Sequence, residues 1–137
     1  MDEESLIKIG RTGEKWIHRY FKDLYHLNEN VLIKWLNENG ETGLPYDIEI
    51  NFIDKSQDIQ RIEVKTTSKH VDNYQFSISI QEVEEILRYP NTYYIYRVNL
   101  NNRSLTIIDN ITQNLSDKRQ LQLKMNVLTS DDLNEKK

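Results

Sequence analysis

Two acids and a lysine, Asp47, Glu63 and Lys65, have the residue types and the spacing of a possible catalytic site. The alternation of apolar and polar residues predicts two strands, residues 47–53 and 59–67, that pair as an antiparallel hairpin. Side chains of a strand point alternately to its two faces. We therefore expect the three charged side chains to share one face while the apolar side chains share the other.

This expectation does not depend on the exact turn between the two strands. A turn centred near Lys55 puts Asp47 opposite Glu63, whereas a turn centred near Ser56 puts Asp47 opposite Lys65. Directly opposite residues of an antiparallel pair lie on the same face. Both registers therefore bring the two acids and the lysine together.

Such a cluster suits a divalent metal ion beside a phosphodiester. Hard cations such as Mg²⁺ take carboxylate oxygens and keep several waters, so Asp47 and Glu63 could hold one between them. The ion would bind a phosphate oxygen and lower the pKa of a bound water, and Lys65 could stabilise the developing charge. The alternative is a polar sheet face on which Glu63 and Lys65 form ordinary cross-strand ion pairs, and spacing alone favours that alternative.

The first element that must position these residues is a helix predicted over residues 3–25, because its apolar residues recur with helical period. Its predicted apolar stripe consists of Leu6, Ile9, Gly13, Trp16, Ile17, Tyr20 and Leu24. Glu14 projects from the flank of that stripe, so its carboxylate is expected at the margin of the core. Gly10 and Gly13 each cost the helix about 1 kcal/mol relative to alanine, which indicates that another element approaches the helix closely.

A second helix is marked by its ends. Ser79 and Glu82 form the S-x-x-E pattern of a capping box, and Pro90 ends the helix. The remaining predicted strands are residues 31–36, 75–78 (a short one), 92–100 and 104–108. The resulting order, α-β-β-β-(β)-α-β-β, predicts an α/β or α+β protein with helices packed on a mixed sheet.

Composition sets the class of protein. With 137 residues, 37% hydrophobic and 29% charged, the chain is expected to form one globular domain over residues 1–130 with a disordered tail at 131–137. It contains no cysteine, which excludes disulfides and cysteine-ligated zinc. No apolar run is long enough to cross a membrane, and the acidic start, residues 1–4, is unlike a signal peptide. We expect a cytoplasmic protein that has no membrane partner.

The formal net charge is −4. This charge argues against a dedicated nucleic-acid binder, which usually carries a basic footprint. It is compatible with an enzyme that holds nucleic acid locally through a few lysines and a metal ion.

The order of several short motifs resembles one protein family. They are Gly10-x-x-Gly13-Glu14, Val31 with Trp35 and Asn37, Pro45-Tyr46-Asp47-Ile48, Ile62-Glu63-Val64-Lys65-Thr66, Phe76-Ser77-Ile78-Ser79-x-x-Glu82 and Tyr96-Arg97-Val98. Together they resemble the PD-(D/E)xK nuclease superfamily, and within it the NO VEIN C-terminal-like domain. The resemblance spans residues 10 to about 98 and reverses the preference for ordinary ion pairs.

The resemblance implies a restriction-endonuclease-like core, a mixed central sheet flanked by helices. It implies that Asp47 and Glu63 are metal ligands and catalytic residues, and that Glu14 is a further catalytic residue that reaches the metal directly or through water. Lys65 would be the catalytic lysine, and Val64 would offer its backbone carbonyl to the metal. The implied activity is that of an Mg²⁺- or Mn²⁺-dependent endonuclease that hydrolyses phosphodiester bonds, with DNA favoured, in a restriction or defence setting.

Two questions remain open at this level. Target recognition would come from a homodimer or from a partner in a larger complex, because the chain offers no separate recognition region. The alternative function is a non-catalytic module that keeps the nuclease fold and binds nucleic acid or protein. The acidic balance and small size of the chain favour that alternative.

Overall fold

The computed structural model describes residues 2–53, 59–116 and 121–123. Its elements, in chain order, are α1 (Glu3–Leu24), β1 (Val31–Trp35), β2 (Ile48–Phe52), β3 (Gln60–Thr67), α2 (Ile80–Arg88), β4 (Tyr93–Asn99), β5 (Ser104–Ile108) and α3 (Ile111–Ser116). The predicted mixture of helices and strands is confirmed. The predicted tail, residues 131–137, lies outside the described residues.

The strands form one five-stranded sheet in the order β1-β2-β3-β4-β5. Three of the neighbouring pairs are antiparallel, and β3 and β4 are parallel. A parallel pair needs a crossover connection, and α2 lies in the segment that connects β3 to β4. The predicted mixed sheet flanked by helices is therefore confirmed.

The register of the hairpin decides between the two predicted turns. Ile48 lies opposite Ile62, and Ile50 lies opposite Gln60. Continuing this register by one residue places Asp47 opposite Glu63, as expected for a turn centred near Lys55. The turn itself, residues 54–58, lies outside the described residues.

The sheet separates two apolar clusters. On one face, α1 packs through Ile17 and Phe21, and the strands contribute Ile48, Ile50, Ile62, Val64, Tyr96 and Val98. On the other face, Ile86 of α2 and Ile111 of α3 pack on Tyr93 and Ile95. Because side chains alternate along β3, Glu63 and Lys65 face the side that α2 covers.

The predicted apolar stripe of α1 is rotated from the observed one. The buried residues are Gly13, Glu14, Ile17 and Phe21, whereas Trp16 and Tyr20 are 40% and 41% exposed. The reason lies at Gly13, where a Cβ would overlap the Thr66 side chain of β3. The sheet approaches α1 along the glycine side, so Glu14 lies on the buried face and not at its margin.

Only one of the two glycines in α1 is explained by close approach. A Cβ at Gly10 would meet nothing within 4 Å, so the expectation of a close neighbour is wrong there. It is confirmed at Gly13.

The short strand predicted at residues 75–78 is wrong, since these residues belong to no strand. Side-chain contacts hold them instead. The Arg97 guanidinium donates to the carbonyl of Gln75 at 3.1 Å, and Phe76 and Ile78 pack against the apolar cluster under α2.

Of the helices in residues 2–53, 59–116 and 121–123, none has the length and hydropathy that crossing a bilayer requires.

Candidate functional site

Asp47 lies immediately before β2, and its backbone and side chain both bond to β3. Its backbone N–H donates to the Ile62 carbonyl at 2.8 Å. Its carboxylate Oδ2 accepts the backbone N–H of Val64, also at 2.8 Å. The side chain is 8% exposed. Asp47 is therefore fixed against β3 by both its backbone and its carboxylate.

Val64 presents its carbonyl group to the same region. In a strand, the N–H and C=O of one residue point to the same side, and the Val64 N–H points to Asp47. The pairing of β2 with β3 extends only as far as Ile48 and Ile62. The Val64 carbonyl therefore faces the space beyond the start of β2.

Asn37, in the segment after β1, connects α1 to Asp47 at the start of β2. Its amide nitrogen Nδ2 donates to Glu14 Oε1 at 3.0 Å and to Asp47 Oδ1 at 2.9 Å. Its amide oxygen accepts the hydroxyl and the backbone N–H of Thr42 at 2.9 Å and 3.2 Å. Asn37 is 4% exposed, so this bridge is a buried and well-satisfied part of the fold.

Glu14 reaches the site from the opposite side of the sheet. Besides the Asn37 amide, its Oε1 accepts the indole N–H of Trp35 at 3.1 Å. The Asn37 amide group therefore stands between the Glu14 and Asp47 carboxylates and donates to both.

Glu63 is the least satisfied member of the cluster. It is 8% exposed, and its buried Oε2 has no hydrogen-bond partner among the described residues. Burial raises the pKa of Asp47 and of Glu63, and the negative charges of Glu14 and Asp47, respectively, raise them further. A hydrogen bond between the two carboxyl groups lowers the pKa of Asp47 and raises that of Glu63. Both carboxyl groups therefore favour the neutral form more strongly than they would in water.

Lys65 lies two positions farther along β3, and its ammonium group contacts an acid from α2. Lys65 Nζ is 3.0 Å from Glu82 Oε1 and 2.8 Å from Oε2. The contact with Oε2 is ionic, since that oxygen receives no hydrogen bond of good geometry. The positive charge of Lys65 lowers the pKa of both Asp47 and Glu63. The lysine therefore acts electrostatically on the pair while it is held by a helix and not by a neighbouring strand.

The side chains around the start of β2 include more acids than bases. Asp47, Glu63 and Glu82 are each 8% exposed, and Lys65 contacts Glu82. Buried carboxylates need a neutralising partner, which a proton or a divalent cation can supply. In the part of the chain that the structure describes, no three His, Cys, Asp or Glu side chains are grouped to hold a metal ion together. The candidate ligand set is therefore the Asp47–Glu63 pair with the Val64 carbonyl.

The structure brings together Asp47, Glu63 and Lys65 on adjoining elements, with Val64 between the last two. Glu14 joins them through Asn37.

Sequence reasoning missed two contributions. Asn37 is a motif residue to which no role was given, although an amide in a turn-rich segment after a strand is suited to bridging acids. Glu82 was explained by the helix cap alone. The signal available for Glu82 was its acidic charge on a helix that crosses the face that bears Lys65.

Residues 13–108 match the model of the family described as Protein NO VEIN, C-terminal. The chain is 37% identical over 93 residues to Protein NO VEIN-LIKE and 34% identical over 95 residues to Protein NO VEIN, both from Arabidopsis thaliana. These alignments cover 68% and 69% of this chain, but only 13% and 3% of those relatives. No solved structure gives a significant match to the chain.

Proposed function

The chain belongs to the family of the NO VEIN C-terminal domain, whose name states no chemistry, and from the geometry of its site we propose that it is a metal-dependent nuclease. The observation that supports this most directly is the Asp47–Glu63 pair, buried side by side at the start of β2. Lys65 lies on the same strand as Glu63 and on the same face of the sheet. The proposed reaction is hydrolysis of a phosphodiester bond.

The residues fit a small divalent cation. Mg²⁺ and Mn²⁺ are commonly held by one or two carboxylates together with water and substrate oxygens, so a group of three acids is not required. Glu63 Oε2 is buried without a hydrogen-bond donor, and an oxygen in that state gains most from a cation. When bound, the ion would neutralise phosphate charge and supply an activated water. Asp47, Glu63 and the Val64 carbonyl would hold it.

The remaining residues have roles that follow from their contacts. Asp47 is held rigidly, because Val64 and Asn37 each donate to one of its oxygens. Lys65 supplies a positive charge that would stabilise the charge developing on the phosphoryl group. Glu14 would act through the Asn37 amide or through water.

DNA is the substrate class that we propose, because it is the usual substrate of the PD-(D/E)xK superfamily that the motifs resemble. The restriction-endonuclease-like core, a defence setting and a cytoplasmic location belong to the same proposal. Since the chain spans 13% and 3% of its two plant relatives, their longer chains say nothing about its partners. A second copy or a larger complex would supply target recognition.

The test is cleavage of plasmid DNA, linear DNA and single-stranded RNA by purified protein in Mg²⁺, in Mn²⁺ and in EDTA. We expect cleavage of DNA in the metal buffers alone, and its loss in Glu63→Gln. Glu84→Gln is the matched control, because Glu84 is an exposed acid of α2. Equal cleavage by the wild type and Glu63→Gln would assign any activity to a contaminant and reject the proposal.

A second candidate function is a binding module that keeps the fold without catalysis. It is favoured by the lack of a three-acid metal group among the described residues. Calorimetry distinguishes the two functions. Mn²⁺ binding by the wild type that is lost in Asp47→Ala supports the nuclease, and an absence of Mn²⁺ binding supports the module.

A further inference from the structure

We propose that Glu82 is the positioning residue for Lys65, which it holds apart from the Asp47–Glu63 pair. This inference rests on the proposed function, since it assigns a role at the same site. The two contacts from Lys65 Nζ to the Glu82 carboxylate, 3.0 Å and 2.8 Å, link the β3 lysine to the first turn of α2.

The place of Glu82 is set by the capping box of α2. The Ser79 Oγ accepts the Glu82 backbone N–H at 3.1 Å, and the Glu82 Oε1 accepts the Ser79 backbone N–H, also at 3.1 Å. These reciprocal bonds fix the carboxylate relative to the helix. The start of α2 thus determines where the Lys65 ammonium group is held.

The cap alone does not account for Glu82. A capping box is satisfied by glutamine as well as by glutamate, and it uses only Oε1 here. The Glu82 side chain is also buried, which is costly for a carboxylate unless a cation pairs with it. The negative charge and the second oxygen are explained by Lys65.

Holding Lys65 has a consequence for the acids beside it. The ammonium group is attracted to three carboxyl groups, those of Asp47, Glu63 and Glu82, as its influence on the pKa of the first two indicates. A direct ion pair with Asp47 or Glu63 would occupy oxygens that a metal ion needs. Glu82 draws the ammonium group toward α2, which leaves the oxygens of the pair for a metal ion.

The kinetic test compares Glu82→Gln, which keeps the cap and removes the charge, with Glu84→Gln. In Mn²⁺ and with a DNA substrate, we expect Glu82→Gln to lower kcat by roughly 10- to 100-fold, the scale of a misplaced catalytic group. KM should match that of Glu84→Gln when both variants are assayed well below their melting temperatures, since loss of a buried ion pair also lowers the melting temperature. A kcat equal to that of Glu84→Gln under these conditions would overturn the inference.

A double-mutant cycle tests whether Glu82 acts through the lysine. In the Lys65→Met background, adding Glu82→Gln should lower kcat no further. Equal losses in both backgrounds would show that Glu82 acts independently of Lys65 and would refute the positioning role.

A spectroscopic readout separates this inference from the proposed function. If the wild type cleaves nothing in Mg²⁺ or Mn²⁺, the nuclease proposal fails, and the ¹H–¹⁵N spectrum of the lysine ammonium groups tests Glu82 instead. The Lys65 signal, assigned by its loss in Lys65→Met, should be present in the wild type and Glu84→Gln and lost in Glu82→Gln. Its persistence in Glu82→Gln, or its absence from the wild type, would overturn the inference.

Discussion

Replacing Glu63 by glutamine should make the protein more stable in EDTA and less stable, relative to the wild type, in Mn²⁺. The substitution keeps the shape of the side chain and removes its ionisation. Burial and the charge of Asp47 raise the pKa of Glu63 from 4.5 to about 10. At neutral pH, folding of the wild type must therefore take up a proton or bury a charge, and the glutamine variant avoids both.

The sign and size of the effect follow from linkage. When the pKa of a carboxyl group rises on folding, the protein keeps its full stability at pH values below the pKa of the unfolded state. Its free energy of unfolding then falls as the pH rises toward the pKa of the folded state. The upper limit is about 1.4 kcal/mol per pH unit. Because two neighbouring carboxyl groups titrate as a pair, we expect about half of that limit for Glu63→Gln, or roughly 2 kcal/mol gained between about pH 5 and pH 8.

Thermal unfolding at about pH 5 and pH 8, with EDTA or with Mn²⁺, measures this prediction. At the higher pH in EDTA, Glu63→Gln should melt roughly 6 °C above the wild type, and near pH 5 the two should coincide. A ligand present at about 100 times its Kd adds about 2.7 kcal/mol to the wild type alone. Mn²⁺ should therefore reverse the order of the two melting temperatures.

Glu84→Gln again serves as the control, since a surface change of this kind stays within about 0.5 kcal/mol. If Glu63→Gln melts below the wild type at both pH values and Mn²⁺ shifts neither protein, Glu63 is an ordinary structural residue. That result would refute the assignment of a cation site to the pair.

Three further predictions concern the framework of the site, each measured by denaturant or thermal unfolding. Gly13→Ala should destabilise the protein by about 1–3 kcal/mol because its Cβ would overlap β3. Gly10→Ala has open space around it and should stabilise the protein by up to about 1 kcal/mol. Equal effects of the two substitutions would contradict the close packing at Gly13. Asn37→Ala should cost about 1–3 kcal/mol, since two buried carboxylates lose a common donor, and a neutral result would show that the bridge is not formed. Tyr93→Phe should lower the free energy of unfolding by about 1 kcal/mol, because it removes the hydroxyl that donates to the Pro45 carbonyl at 2.6 Å. A loss no larger than that of a surface substitution would show that this bond does not hold the segment before β2.

Local sequence patterns predicted much of the fold. The helical period of residues 3–25 and the capping box at Ser79 correspond to α1 and α2, because both signals are local. Strand parity correctly placed Glu63 and Lys65 on the face opposite to Ile62 and Val64, which pack against α1, whereas Asp47 lies just before β2. The prediction of which side chains share a face holds even if the turn centre is wrong by one residue, provided that both strands are assigned correctly.

The parts that could not be predicted depend on contacts between distant segments. Which side of α1 is buried was decided by Thr66 of β3 packing over Gly13, and no pattern within the helix reports that contact. Glu14 was expected beside a metal ion, but its position relative to Asp47 is set by Asn37, 23 residues away from it in the chain. The pairing of Lys65 with α2 depends on the crossover between β3 and β4, which fixes where that helix starts.

The double hydrogen bonding of Asp47 has a consequence for ion selectivity. Each of its two oxygens already accepts a donor from the protein, one from Val64 and one from Asn37. Such a carboxylate cannot turn to chelate an ion with both oxygens, as Ca²⁺ sites commonly require, but it can offer a single lone pair at short range. At the proposed metal site, such a carboxylate would favour ions of the size of Mg²⁺ or Mn²⁺ over Ca²⁺.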